Sequence, residues 1–423
     1  MFMNMKKIAA VMCAFAVVAM MLSSCGDKEG QSSAAESSVS SSQPAQDTAP
    51  ETEKPPETDE EWHDAMLRKS VVTLGDTAKL KEKIAKARNG DKVTLAYLGG
   101  SITEGFTAGS ELCYAKLSCQ KFAERFGKDG GGNVEYVNAG IAGTPSRLGN
   151  LRLERDVLSK EPDICFVEFA VNDGTDEDCQ ASYESIVRDL LEHDCAVILL
   201  FSVTADDYSA QDYMKNIGQY YGLPMISYCD ALRYMFENNK MKWEDFSDDK
   251  SHPNEKGHAL VAEMIDLFFA QADVTETAPR EFPAAPISIM IQQGMKLLEN
   301  EDIEPVSLGS WDVGSTVNYF TKGWTYEPGT GNEPLVFKFK GRFAHLVYKE
   351  VKSGQFGDLH IKVTCGGQPY DDKTVKTVTK DGFGNPQITL LGMQVDETEY
   401  TVEISMAEGS EDKKGEIFAI AHN

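Results

Sequence analysis

The sequence has little basic charge and gathers none of it into a patch: 41 lysines and arginines stand against 67 aspartates and glutamates, a formal net charge of −26. A nucleic-acid partner demands clustered Lys and Arg against phosphate, so that class of function is excluded. Cysteine is sparse and scattered. None of the nine forms a CxxC pair or stands with histidine at zinc-ligand spacing, and His258 lies six residues beyond His252, off the helix face a shared ligand would need. Neither a metal nor another cofactor is expected. Cys113, Cys119, Cys165, Cys179, Cys195, Cys229 and Cys365 read as buried thiols rather than a disulfide framework, with one bridge left open. No apolar run reaches the roughly 20 residues of a spanning helix.

What is present begins with a leader. Lys6 and Lys7 precede a short apolar segment, residues 8–22, which ends in Leu22-Ser23-Ser24-Cys25. That pattern describes a bacterial lipoprotein signal over residues 1–24, with export, cleavage before Cys25 and lipid on its thiol, so the only membrane contact expected is through that lipid. Residues 25–60 are Ser, Pro, Thr, Gln and acid with almost no large apolar side chain. They cannot bury enough surface to offset ordering entropy and read as a disordered tether.

From about residue 61 to 272 apolar runs alternate with amphipathic stretches, which predicts an α/β domain with a parallel sheet covered on both faces. In such a sheet the site lies at the carboxyl ends of the strands. The first strand empties through Gly99-Gly100 into Ser101, at the head of a helical stretch, where free backbone N–H groups can stabilise negative charge. The second ends in a loop containing Gly140 and Gly143. The third ends at Asn172-Asp173, where the amide is either a turn former or a ligand-facing group. Before the last helix stands Asp249-x-x-His252. A carboxylate three residues ahead of an imidazole can hold one ring nitrogen and free the other to take a proton, although Asp249 could equally cap the helix, with Pro253 at its first position. Trp243, six residues before Asp249, lines a pocket or packs under the loop.

These four segments, in this order, resemble the blocks of the SGNH hydrolase superfamily, the GDSL-type esterases, over residues 71–270. The resemblance implies a flavodoxin-like three-layer domain and a serine esterase. Ser101 matches the nucleophile, His252 the base and Asp249 its orienting acid. Gly143, with Gly140 as the alternative, and Asn172 match the glycine and asparagine that form the oxyanion hole with the N–H of Ser101. Asp173 is a supporting residue. The first block reads Gly-Gly-Ser rather than Gly-Asp-Ser, and the third lacks its usual leading glycine.

Residues 273–288, rich in Thr, Ala, Pro and acid, read as a linker. Beyond them the period changes to two, which predicts an antiparallel β-sandwich over residues 289–423. Its aromatics Trp311, Tyr319, Trp324, Tyr326 and Tyr348 are core or can stack on sugar rings. The expected activity is hydrolysis of short acyl esters, acetyl foremost, on acylated carbohydrate or another small ester. A lysophospholipase-type acylhydrolase and a non-catalytic carbohydrate-binding surface lipoprotein are the alternatives.

Overall fold

Six strands build the first sheet: β1 (Val71–Thr73), β2 (Val93–Gly99), β3 (Val134–Gly140), β4 (Ile164–Glu168), β5 (Ala196–Phe201) and β6 (Met225–Ser227). They lie in a computed structural model that describes residues 55–352 and 354–423. The leader, Cys25 and all but the end of the tether are outside the described residues. The spatial order is β1-β6-β5-β4-β2-β3, parallel throughout except for β1 against β6. This is the expected α/β sheet with one addition: β1 has three residues, too few to show a period in sequence.

β2, β4 and β5 are buried along their whole length, as strands covered on both faces must be. On one face Leu95 and Tyr97 pack with Ile84, Phe122 and Phe269; on the other Leu98 packs with Tyr183, Ile186 and Ile217. The seven cysteines of the described residues are all free and buried.

The second domain contains β7 (Lys296–Leu298), β8 (Asp312–Val313), β9 (Trp324–Tyr326), β10 (Leu335–Glu350), β11 (Leu359–Cys365), β12 (Gln368–Val375), β13 (Asn385–Met406) and β14 (Gly415–His422). All pairings are antiparallel. β10 and β13 pair along their full length through irregularities at Gly341–Phe343 and Ala344–His345. β11 adds to the later part of β13, and β14 to the later part of β10. This gives the expected β-sandwich, whose core joins Phe337, Ile361 and Val402 to Trp324, Ile417 and Ile420. Trp311, Trp324, Tyr326 and Tyr348 are buried, so only Tyr319 of the five aromatics considered for sugar stacking is exposed.

The two domains share a hydrophobic cluster. Leu148 and Leu151, on the helix Ser146–Leu151, pack with Leu297, Phe343, Val347 and Phe418 of the β-sandwich. The stretch between the domains is bonded to the surface of the α/β domain as well: Arg188 donates to the carbonyls of Pro283 and Ala284, and Glu184 accepts from the backbone of Ile287 and Ser288.

Candidate active site

Ser101 is the first residue of a four-residue helix, Ser101–Glu104, entered directly from β2. Both preceding glycines are required by close approach. A Cβ on Gly99 would overlap Thr103 and the carbonyl of Glu168, and one on Gly100 would overlap the side-chain amide of Asn172. The second overlap gives a physical reason for Gly-Gly-Ser here: Asn172 occupies the space that a larger residue at 100 would need.

His252 lies with Nε2 2.9 Å from the Ser101 hydroxyl and Nδ1 2.7 Å from a carboxylate oxygen of Asp249. The other oxygen of Asp249 accepts the backbone N–H groups of Ser251 and His252, each at 2.7 Å. Burial works to raise the Asp249 carboxyl, but those N–H groups and the imidazole outweigh it and hold the group below its ordinary value. The loop is latched from beneath. Trp243 donates its indole N–H to the Asp249 carbonyl at 2.5 Å, and Ser247 donates to the carbonyls of Asp249 and His252. Trp243 thus supports the loop by packing under it. The helix after the loop starts at Glu255 with Asn254 as its cap, so Pro253 lies outside the helix rather than at its first position, and Asp249 is left to the imidazole.

Beside Ser101 the strand ends bring up donors. Ile141 N–H bonds to the Gly99 carbonyl, which holds the loop after β3 against the turn that carries Ser101. Gly143 has φ +71°, and among the described residues neither its N–H nor the amide nitrogen of Asn172 has an acceptor within the protein. Gly140 is placed differently. Its N–H is taken by the Asn138 side chain, and its missing side chain lets the helix Ser101–Glu104 lie against β3. Asp173, 2% exposed, accepts from the backbone N–H of Ser146 and the hydroxyl of Tyr213, each at 2.7 Å. It therefore ties the Asn172 loop to the end of the Gly143 loop. Burial raises its carboxyl to about 6.

Several residues around the site were not singled out from sequence. Arg152, fully buried, donates to the carbonyls of Gly99 at 3.0 Å and Ala139 at 2.7 Å, clamping the ends of β2 and β3 together. Glu168, also fully buried, accepts from Thr103 at 3.1 Å and from Ser202. Burial raises its carboxyl to about 7, although both hydroxyls oppose the rise. Two exposed aromatic rings lie against residues of the site. Phe106, 63% exposed, lies with its ring 4.8 Å from that of His252. Phe383, 67% exposed, comes from the β-sandwich and lies 2.7 Å from where a Cβ on Gly143 would stand. A phenylalanine 240 positions away in sequence gives no signal that could have placed it there.

The remaining histidines stand elsewhere. His258 is buried and accepts the Tyr114 N–H, with burial pushing it down to about 4. His63 and His360 do find carboxylates, Glu263 and Asp372, across the fold.

The GDSL-like Lipase/Acylhydrolase family model matches residues 97–260. None of the curated proteins matches the chain. Among solved structures it is similar to a two-domain esterase (CEX) active on acetylated mannans, co-crystallised with mannopentaose, at 24% identity and a TM-score of 0.73 over 84% of this chain and 97% of that one. A second structure of the two-domain esterase gives the same identity and TM-score over 98% of its length. That likeness establishes the two-domain fold. Residues 97–260, the stretch that holds Ser101, Asn172, Asp249 and His252, are thus similar to the GDSL-like lipase/acylhydrolase family, and a domain of that kind supports a carboxylic ester hydrolase.

Proposed function

We propose that the protein is an exported serine esterase that removes short acyl groups, acetyl foremost, from carbohydrate by way of an acyl-enzyme. The observation that carries the mechanism is the bonded series Ser101–His252–Asp249, at 2.9 and 2.7 Å. His252 takes the Ser101 proton as the hydroxyl oxygen attacks the ester carbonyl, while Asp249 keeps the ring in the tautomer whose Nε2 is free. The carbonyl oxygen becomes an oxyanion that the N–H groups of Ser101 and Gly143 and the amide of Asn172 receive. Collapse expels the alcohol, which takes the proton from His252. Water, deprotonated by the same imidazole, then attacks the acyl-enzyme; the acid leaves and the proton returns to Ser101.

The carbohydrate part of the reading is supported by the exposed rings of Phe106, against His252, and Phe383, against Gly143, and by the fold shared with an esterase active on acetylated mannans. The leader supports export and a lipid on Cys25. Labelling by a serine-directed phosphonate should modify Ser101 and vanish in Ser101→Ala. Acetate release from acetylated oligosaccharides should exceed turnover of long-chain esters and phospholipids; the reverse order would favour a lipase-type acylhydrolase. Fatty-acid incorporation should disappear in Cys25→Ser.

A further inference from the structure

The geometry points to Phe106 as the platform of a leaving-group subsite that takes the apolar face of a neutral pyranose ring, the sugar that carries the ester. This rests on the esterase reading and adds to it the direction in which the alcohol lies. The alcohol oxygen must receive its proton from Nε2 of His252, so the leaving group has to stand on the imidazole side of Ser101. The acyl oxygen lies on the other side, toward Gly143 and Asn172. Phe106 is on the imidazole side, its ring centroid 4.8 Å from that of His252 and tilted by 44°, with 63% of the residue open to solvent.

The ring is not there through looseness. Gly105, at φ +91°, makes the turn, and the N–H groups of Gly105 and Phe106 both donate to the Ser101 carbonyl at 3.0 Å. Thr107 donates from its hydroxyl to the carbonyl of Pro253, next to His252. Phe106 is therefore fixed to the nucleophile turn and to the base loop at once. An exposed aromatic ring held at a fixed place against the imidazole offers a flat apolar face on which the apolar face of a sugar can lie. Among the described phenylalanines only Phe106 and Phe383 are more than half exposed, and each lies against a residue of the site.

The experiment compares kcat/KM for an acetylated neutral oligosaccharide with kcat/KM for ethyl acetate, whose alcohol is too small to cover a ring. Each is expressed per active site counted by phosphonate titration. In Phe106→Ala the ratio of the two should fall about tenfold, chiefly through KM for the oligosaccharide, and Phe106→Trp should restore it. A ratio unchanged in Phe106→Ala overturns the inference, whether both activities fall together, as they would if the ring only steadied His252, or neither moves. A wild-type protein that titrates with no phosphonate and turns over neither ester would instead overturn the esterase reading itself.

Discussion

Replacing Glu168 by glutamine tests the buried carboxyl beneath the helix Ser101–Glu104. The side chain has no cation against it; Thr103 and Ser202 donate to it, and the negative charge of Asp173 works in the same direction as burial. Its folded value of about 7 lies above the ordinary 4.5. A raised carboxyl binds its proton more tightly folded than unfolded. Its contribution to stability is therefore complete below the ordinary value and is lost as pH rises toward the folded one. Each pH unit between them is worth about 1.4 kcal/mol, so the loss across the window is about 3 kcal/mol. Glutamine keeps the shape, accepts one hydroxyl and does not titrate. Urea denaturation of wild type and Glu168→Gln at pH 4 and pH 8 should then show the stability difference moving by about 3 kcal/mol in favour of glutamine at the higher pH, while groups common to both proteins cancel. A difference independent of pH would refute the reasoning, because it would mean that folding does not alter the proton affinity of Glu168.

Asn172→Ala should lower kcat by about 10²- to 10³-fold with little change in KM or in the unfolding midpoint, since one oxyanion donor is lost and its amide oxygen has no partner to lose. In Asp249→Asn, rapid phosphonate labelling should slow by about 10³- to 10⁴-fold while the loop stays closed by Trp243 and Ser247; a labelling rate near wild type would remove Asp249 from the mechanism. Gly143→Ala forces a side chain into φ +71° and against the Phe383 ring. A stability loss of about 1–2 kcal/mol in denaturant is expected, together with a fall in kcat, and Phe383→Ala in the same chain should recover part of both.

The sequence was most informative where a chemical group stands next to an element boundary that can itself be read. Ser101, Asn172 and His252 each follow or precede a strongly patterned strand or helix, so their meeting at one end of the sheet follows from the α/β alternation. Gly140 and Gly143 were harder to separate, because the difference lies in which N–H is already bonded, and that depends on the Asn138 side chain. Glu168 is the one acid in the apolar run of residues 164–170, a visible sign of a buried carboxyl. Arg152, between Leu151 and Leu153, gave no such sign, because Glu154, Arg155 and Asp156 follow at once and the stretch reads as an ordinary charged helix face. Phe383 had no such sign. Local pattern carries the strands of the β-sandwich but not which of its turns comes back to the hydrolase domain. Four of the five aromatics that looked available for sugar are inside, since alternation marks a face without saying whether water or another sheet covers it.

The seam of Leu148 and Leu151 against Phe343 and Phe418 bears on how such a molecule can be cut. A chain ended after the helix Glu255–Val274 would keep every group that reacts, yet it would strip the cover from the short helix that continues the Gly143 loop. Leucines now dry would face water, and the loop would lose its footing before any reacting atom had been touched. The catalytic half is therefore not a portable cassette, and a shortened version that hydrolysed esters at the full rate would have had to find another way to hold that helix down.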